Sequence, residues 1–474
     1  MSTRRRLRTA PVLAILLAAS LGADTIHLHP PASIQSAIDD AAAGDVLIAH
    51  PGTYVGPVDF RGKAITLRSA GGPAVTALDG QFAATVVRCV TAEGPDTVLD
   101  GFTVTRGRTT SDGGGMLVLG AAPTVLNCVF CENDAAYGGA MFIQSAQPSL
   151  RGCRFEQNIA AQSGGGLYFF GPPGTPAGVV DGCWFIDNRA GAAGGAVRVW
   201  DVRPVFVHAW FERNHARQQG GAVANGGAAA ATFDRCVFDG NRTDTLFGSW
   251  DAFGGGMSNF ESSRPILTSC VFVRNHAVAL FPRLSHGGAV ACAAAAIARL
   301  EHCTFVNNSA NVGRGVCTLG GASVAITGAV FWNGGNDVAV LETSFLSVEY
   351  STVPGGFPGP GNLNVDPELN GLRLSVESRC IDAGDPDFAS PGARDLDGHA
   401  RVLRGRVDMG AYEFGIGDAN SDGVVDAQDF IDGAACLTGP DAGPYAAGCE
   451  RLDFEYDGDV DLLDLAALQR AVGG

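Results

Sequence analysis

The sequence contains few charged residues and almost no lysine. Charged side chains make up 17% of the 474 residues, and Lys63 is the only lysine. The net charge is −17, but it is unevenly placed, because thirteen acidic residues and only two arginines lie from Asp418 onward. The rest of the chain is therefore only mildly acidic. This distribution argues against nucleic acid as a partner.

The sequence also lacks long apolar segments. Its one apolar stretch near the N-terminus, residues 10–21, is too short to span a bilayer and follows four arginines within the first eight residues. We therefore expect residues 1–23 to be an export signal that is cleaved after Ala23. This predicts an extracellular or cell-surface protein without a transmembrane anchor.

Seven short segments share one pattern: a small residue, a spacer, phenylalanine, two variable residues and asparagine. Successive phenylalanines are 25 to 34 residues apart, and a decayed eighth copy lies at Phe331. The seven copies are residues 128–133, 153–158, 183–188, 209–214, 236–241, 270–275 and 303–308. Self-similarity at this period predicts a solenoid.

Two or three glycines followed by an apolar run lie between the copies, as at residues 138–142 and 194–197. No copy contains a ten-residue amphipathic stretch, so each period predicts at least two strands and tight turns, the layout of one coil of a parallel β-helix. Because side chains alternate along a strand, the cysteine and phenylalanine columns share the inward face. Asparagine is expected in the left-handed turn position, with its amide bonded to the amide above.

The front of the chain agrees with this fold. Residues 34–41 have helical spacing and are expected to cover the open end of the coil stack. The run of turns and strands over residues 44–67 resembles the opening of pectin-lyase-like right-handed β-helix proteins. The repeats resemble those of polymorphic outer-membrane proteins. We therefore predict an all-β, right-handed parallel β-helix over residues 24–345, while the resemblance says little about chemistry, because the matching residues are core and turn residues.

The segment after the repeats resembles the closing segment of many secreted bacterial β-helix proteins. The resemblance rests on aspartate-rich stretches at residues 380–385, 395–401 and 407–413. We expect residues 346–415 to cap the last coil, since a solenoid must cover its end. The aspartates fit either a metal site or structural turns with Asp–Arg pairing, and the second is favoured.

The tail, residues 416–474, carries two twelve-residue calcium loops. In each loop, oxygen ligands fall at positions 1, 3, 5, 9 and 12, position 7 offers its backbone carbonyl, and glycine at position 6 allows a sharp turn. The predicted Ca²⁺ ligands are Asp418, Asn420, Asp422, Val424, Asp426 and Asp429 in the first loop, and Asp453, Glu455, Asp457, Asp459, Asp461 and Asp464 in the second. Carboxylates at this density repel one another unless a hard cation neutralises them. We therefore expect the tail to fold only when calcium is bound.

Each calcium loop runs into one short apolar segment that is predicted to be a helix. A loop followed by one helix, occurring twice, resembles a type I dockerin over residues 417–474, which implies a cohesin-bearing scaffold as a partner. Dockerins usually contact cohesins through the residues just after position 9, which are Ala427-Gln428 and Leu462-Leu463 here. Glu455 departs from the usual Asn or Asp at position 3, which predicts weaker binding at the second site. Calcium binding without a cohesin partner stays open.

The chain has thirteen cysteines. Six of them precede the repeat phenylalanines, where we expect buried free thiols that act as small apolar side chains. Cys436 and Cys449 flank the connection between the two calcium loops, and the sequence leaves open whether they form a disulfide.

Two tryptophans provide the clearest candidate binding site of the solenoid. Trp184 and Trp210 hold the same outward position in successive coils, so we expect their rings to lie about 5 Å apart, with Arg154 one coil below. Stacked aromatic rings beside an arginine suit a sugar ring or an acidic glycan. The alternative is an apolar patch covered by the insertion at residues 243–253.

Acidic residues also recur just after the repeat phenylalanines. They are Glu132, Glu156, Asp187, Glu212 and Asp239. A solvated turn edge is favoured over a catalytic strip of carboxylates. The sequence contains no nucleophile motif, zinc signature or nucleotide loop, so no catalytic residue is predicted.

Two classes of function fit these observations. The favoured one is a non-catalytic surface or adhesive module that binds a polysaccharide or cell-surface glycan, because the regular repeat positions are all structural. The alternative is a polysaccharide lyase or glycoside hydrolase of the pectin-lyase-like class, because dockerins are mostly appended to carbohydrate-active enzymes.

Overall fold

A computed structural model describes residues 23–245, 251–375, 377–390, 392–402, 406–414, 417, 427–439, 449, 452–453 and 459–473. Its body is a parallel β-solenoid of about eleven coils. Each full coil contributes a strand to the first, second and third long sheets in turn, and a short fourth sheet lies between the second and third. The fold is therefore all-β before the tail, as the repeat predicts.

The thirteen-stranded first sheet consists of Thr25–Leu28, Val46–Ala49, Thr66–Ser69, Val98–Asp100, Thr124–Leu126, Ser149–Arg151, Pro176–Asp181, Arg203–Val207, Thr232–Asp234, Ile266–Thr268, Ile297–Glu301, Ser323–Thr327 and Phe345–Glu349. The eleven-stranded second sheet consists of Gly52–Val55, Thr76–Asp79, Thr103–Thr105, Val129–Cys131, Arg154–Glu156, Trp184–Ile186, Trp210–Glu212, Val237–Asp239, Val271–Val273, Thr304–Val306 and Val330–Trp332.

The eleven-stranded third sheet consists of Val58–Asp59, Val87–Cys89, Met116–Leu119, Met141–Gln144, Leu167–Phe170, Val197–Trp200, Val223–Gly226, Met257–Asn259, Val290–Cys292, Val316–Thr318 and Val338–Val340. The six-stranded short sheet consists of Asp134–Tyr137, Ile159–Ser163, Arg189–Ala190, His215–Ala216, Arg242–Asp244 and His276–Val278. Two small pairs are Ala252–Phe253 with Ser285–His286, and Leu369–Asn370 with Arg373–Leu374.

A ladder of phenylalanines fills the core behind the second sheet. The rings from Phe130 to Phe331 stack coil upon coil, with centroids 4.3 to 5.3 Å apart. Each of these side chains is fully buried, as are the six cysteines two positions before them, which are free thiols. The predicted inward columns of phenylalanine and cysteine are thus confirmed.

A second ladder, of asparagines, lies where the chain leaves the second sheet. The side-chain amide of each asparagine donates to the side-chain oxygen of the next, from Asn133 to Asn333, and the last donates to Asp337. From Asn133 to Asn308, each amide also donates to a backbone carbonyl of the preceding coil, as Asn214 Nδ2 does to the Phe185 oxygen at 2.8 Å. The predicted amide ladder is present and fully buried.

The position of the left-handed residue differs from the expectation. The residue before the asparagine, not the asparagine itself, has a positive φ, as at Gln157 (54°), Asp187 (53°) and Arg213 (51°). The reason is that the asparagine side chain must turn inward to reach the carbonyl of the coil below. The left-handed turn of the backbone therefore falls on the residue before the asparagine, whose own side chain can remain in solvent.

Helix α1, Ile34–Asp40, begins at Ser33, whose side-chain oxygen accepts a hydrogen bond from the Ser36 amide. Ile34 and Ile38 are buried in the same core cluster as the first strands. The helix thus covers the start of the solenoid, as its spacing predicts.

The other end of the solenoid is closed by residues 350–363, where Val353 is buried in the main core and Phe357 packs against it. The following segment, residues 366–414, lies along the outer face of the second sheet. There Ala411 is buried with Val237 and Val271, and its amide donates to Thr304 Oγ1 at 2.9 Å. The segment predicted as a cap thus closes the end of the solenoid and also covers the outer face of its last coils.

The aspartates of this segment form turns and pair with arginine. Asp395 accepts hydrogen bonds from the His399 and Glu413 amides at 2.7 and 3.1 Å, and Asp397 forms an ion pair with Arg373 at 2.5 Å. Burial raises the pKa of Glu413 to about 9, with the neighbouring charge of Asp408 as the next cause. The segment therefore holds a proton that the unfolded chain would release near pH 4.

This proton predicts that raising the pH weakens the packing of residues 366–414. Because the pKa of Glu413 is higher in the folded state, the stabilisation is complete at acid pH and is lost as the pH rises toward about 9. We expect pulse proteolysis in urea to give a lower midpoint for this segment at about pH 8.5 than at about pH 5. In Glu413→Gln, which keeps the shape without the titration, the midpoint should vary much less, and an unchanged pH dependence would contradict this assignment.

The tail contains helix α2, Ala427–Gly433, a 3₁₀ turn at Ala434–Cys436, and helix α3, Leu462–Gly473. Cys436 and Cys449 form a disulfide. Leu452, Val460 and Leu468 form a small buried cluster. None of the helices in the described part of the chain combines the length and apolar character needed to traverse a bilayer.

Candidate functional site

Trp184 and Trp210 stack on the outer face of the second sheet. Their strands pair in register, and the ring centroids are 4.9 Å apart with an angle of 12° between the planes. The register places Arg154 directly beside Trp184 on the preceding strand. We call Trp184, Trp210 and Arg154 the aromatic ledge. Its geometry is the one that the repeat register predicts.

The C-terminal segment determines how much of the ledge is open. Trp210 packs beside the buried cluster of Val237, Val271 and Ala411, whereas Trp184 is 38% exposed. The cover of Trp210 therefore comes from residues 366–414. In the insertion at residues 243–253, the described Phe253 packs against Phe260 and His286. Trp250 lies outside the described residues.

Ion pairs line the edge of the ledge, where the acidic residues of the repeat lie. Arg154 pairs with Glu156 in its own strand. Arg213 bonds both oxygens of Asp187 at 3.1 Å and also pairs with Glu212. The hydrogen bonds that Arg213 donates to Asp187 raise the pKa of the Arg213 guanidinium.

One coil further, Arg274 Nε donates to Asp239 Oδ1 at 3.0 Å. Glu156, Asp187, Glu212 and Asp239 are thus each bound by an arginine. Such an edge presents alternating charges to a ligand, held in weak ion pairs at the surface of the solenoid.

Sequence analysis missed a buried arginine on the outer face of the third sheet. Arg198 is 7% exposed, and its Cζ lies 4.7 Å from the centroid of the Trp200 ring. Tyr168 lies beside Arg198 on the preceding strand, and Gly226 lies beside Trp200 on the next coil. A Cβ at Gly226 would lie 2.6 Å from Arg198 Nη2 and 2.9 Å from the indole, so only glycine leaves room for the stacked pair.

The guanidinium of Arg198 lacks a full set of partners. Its Nη1 is buried without a hydrogen-bond partner among the described residues. Burial lowers the pKa of Arg198, while Tyr168 and Glu261 oppose that effect. A buried cation that is incompletely paired favours binding of an anionic group. In the sequence, Arg198 and Trp200 alternate with valine in the strand that follows two glycines. This alternation indicates that both side chains point outward.

The described part of the tail brings the predicted carboxylate ligands Asp461 and Asp464 together with the carboxylate of Asp459, whose predicted ligand atom is its backbone carbonyl oxygen. Carboxylate oxygens of Asp459, Asp461 and Asp464 lie within 4.8 Å of one another. Asp461 and Asp464 also bind backbone amides at the start of α3, which orients their carboxylates. A compact set of oxygen donors fits a hard cation such as Ca²⁺.

Of the other predicted ligands, only Asp429 and Asp453 lie among the described residues. Asp429 and Asp453 are buried, at 0% and 1% exposure. The remaining ligands lie outside the described residues: Asp418, Asn420, Asp422, Val424, Asp426, Glu455 and Asp457. Calcium binding by the tail therefore stays a prediction.

Residues 192–345 match the family described as right handed beta helix region. This match identifies the solenoid as a right-handed parallel β-helix. No curated protein sequence is similar to the chain.

Several solved structures resemble the chain at low identity. Pectate lyase Pel9A is 14% identical, with 83% of this chain and 96% of that chain covered and a TM-score of 0.39. A PL6 alginate lyase in complex with a trisaccharide is 12% identical, with 70% and 86% covered and a TM-score of 0.44. The GH87 alpha-1,3-glucanase from Streptomyces thermodiastaticus strain HF3-3 is 13% identical, with 69% of both chains covered and a TM-score of 0.26. What the chain shares with these proteins is the β-helix architecture.

Proposed function

We propose that the solenoid is a non-catalytic module that binds an acidic polysaccharide or cell-surface glycan at the aromatic ledge. The observation that carries this proposal is the exposed stack of Trp184 on Trp210 beside Arg154. An indole face supplies a flat apolar surface for a sugar ring, and a guanidinium binds carboxylate or sulfate groups by two parallel hydrogen bonds. Arg154 lies 48% exposed, so its ion pair with Glu156 can open toward a ligand at little cost.

Two further features support an acidic ligand and binding without cleavage. Arg198 offers an incompletely paired guanidinium on a second outer face of the same coils. The carboxylates beside the ledge, such as Asp187 and Glu212, are bound by Arg213. A lyase or hydrolase, the alternative from the sequence, would place acidic or basic groups around a scissile bond, whereas the regular positions of this repeat are structural.

The tail would attach this module to a larger assembly. Its resemblance to a type I dockerin implies Ca²⁺ binding and a cohesin-bearing scaffold, and the clustered Asp459, Asp461 and Asp464 support the metal. Leu462 and Leu463, just after position 9 of the second loop, are 74% and 64% exposed. Two exposed leucines at the start of a helix support an apolar contact with a partner protein. The arginine-rich, apolar N-terminus supports export, so we place the protein outside the cell or on its surface.

The ledge predicts that Trp184→Ala weakens binding of an acidic polysaccharide by about tenfold or more, since an exposed aromatic anchor contributes roughly 1.4 kcal/mol or more. The measurement is affinity electrophoresis or calorimetry with a panel of plant and algal polysaccharides. Phe345→Ala is the matched control, because Phe345 is 63% exposed but lies on the first sheet. The control should bind like the unchanged protein.

The same incubations distinguish binding from catalysis. Intact polymer that is retained by the protein supports the binding module. New reducing ends or unsaturated ends would support the lyase or hydrolase. Equal affinities of Trp184→Ala and the unchanged protein for every bound polymer would overturn the ledge as the binding site.

A further inference from the structure

Three of the nine histidines of the chain lie together at the start of the solenoid. His27 and His29 flank Leu28 at the end of the first strand, and His50 follows Ala49, which pairs with Leu28. Leu28 and Ala49 are buried in the core. Because side chains alternate along a strand, the three histidines share the outer face.

Two of the three rings have nitrogens close enough to share an ion. His27 Nδ1 lies 2.9 Å from His50 Nε2, and the His29 ring stacks on the His50 ring with centroids 4.0 Å apart. Two nitrogens bound tetrahedrally to one zinc ion, each at about 2.0–2.1 Å, are separated by about 3.3 Å. The His27–His50 pair is therefore near the separation that chelation needs. His29 is exposed and stacked on His50, and it would join the same ion after rotation of its side chain.

The backbone that carries these rings is held firmly. The hydroxyl of Tyr54, which is 4% exposed, contacts the carbonyl oxygens of Leu28 at 2.8 Å and His50 at 2.9 Å. The His50 amide also donates to the Leu28 carbonyl at 2.8 Å. Both ligand-bearing stretches are thus fixed relative to one another before any metal binds, which lowers the cost of binding.

One side of the cluster remains open. A shallow groove runs from His27 and His50 to Arg68 and Asp100 along the first sheet. A metal held by three histidines would keep its fourth position toward this groove, where water or an anionic group could bind. Arg68 would lie near an anion bound there.

We propose that His27, His29 and His50 form a zinc site of the class that uses three neutral imidazoles and an open fourth position. Imidazole favours zinc and its late transition-metal neighbours over calcium and magnesium, which prefer oxygen ligands. This site is independent of the aromatic ledge and of the acidic tail.

The test is equilibrium dialysis of the full chain, purified without a histidine tag, against Zn²⁺ in excess Ca²⁺ so that the tail is occupied by calcium. One zinc per chain is expected. Replacing zinc with Co²⁺ should give the visible absorption of a tetrahedral nitrogen site. His50→Gln and His29→Gln should each weaken zinc binding by at least about tenfold, because each removes a ligand. His208→Gln is the control, since His208 is an exposed histidine on a distant coil.

The outcomes separate a metal site from a simple ring contact. Absence of bound zinc in the unchanged chain overturns the proposal, and so does zinc binding that survives both His50→Gln and His29→Gln. Melting temperatures measured without zinc identify any variant that fails to fold. In that case His27→Gln, at an exposed position, supplies the same test.

Discussion

Asn214→Leu is expected to lower the free energy of unfolding by about 3 kcal/mol, because buried polar groups would lose their partners at about 1–3 kcal/mol each. Asn214 Nδ2 donates to the Phe185 carbonyl, and Asn214 Oδ1 accepts from the Asn188 amide at 3.1 Å. Leucine fills similar space but makes neither bond. The Phe185 oxygen and the Asn188 N–H would then be buried without their partners.

The measurement is the denaturant midpoint, followed by circular dichroism in the strand region. Asn307→Gly is the matched control, because Asn307 adjoins the ladder, is exposed and has a φ of 55° that glycine adopts freely. Its unfolding free energy should change by only a few tenths of a kcal/mol. A loss below about 1 kcal/mol in Asn214→Leu would show that water or a neighbour replaces the ladder bonds.

Calcium is expected to determine whether the tail is folded. A ligand at a hundred times its dissociation constant stabilises the folded form by about 2.7 kcal/mol, so chelation should lower the melting temperature of the tail strongly. Asp464→Ala should remove the part of this calcium response that comes from the second loop, because Asp464 occupies position 12 and its carboxylate lies within 4.8 Å of those of Asp459 and Asp461. The measurement is scanning calorimetry of the full chain in calcium and in chelator.

Asp432→Ala provides the control for charge. Asp432 lies in α2, is exposed and bonds Gln428, but occupies no ligand position. It removes the same negative charge from the same unit, so its calcium response should be unchanged. Equal responses of Asp464→Ala and the unchanged chain would contradict the second loop as a calcium site. Asp422→Ala applies the same test to the first loop.

The features that repeat along one dimension were predictable from the sequence. The inward phenylalanines, the amide ladder and the stacking of Trp184 on Trp210 all follow from aligning equivalent residues of successive coils. This works because each coil contacts mainly its neighbours, so the period alone fixes the partners.

The features that depend on contacts between distant segments were not predictable. The partial cover of Trp210 depends on a chain segment some 200 residues later, held by single contacts such as Ala411 to Thr304. The missing hydrogen-bond partner of Arg198 Nη1 depends on which groups surround the guanidinium in the fold. The identity of the residue alone does not reveal this. The three histidines lack a regular spacing, and only the pairing of the first two strands brings them together.

The asparagine ladder gives the solenoid a direction. One hydrogen bond of each side-chain amide runs to the side-chain oxygen of the next coil, so the links between asparagines all run in one direction along the solenoid. The row ends on the carboxylate of Asp337, which accepts at 2.6 Å from the last amide. A row of identical units with a separate terminator can gain or lose members without a change at either end. The number of coils is therefore not set by the ladder itself, which requires only an acceptor without its own N–H at its end.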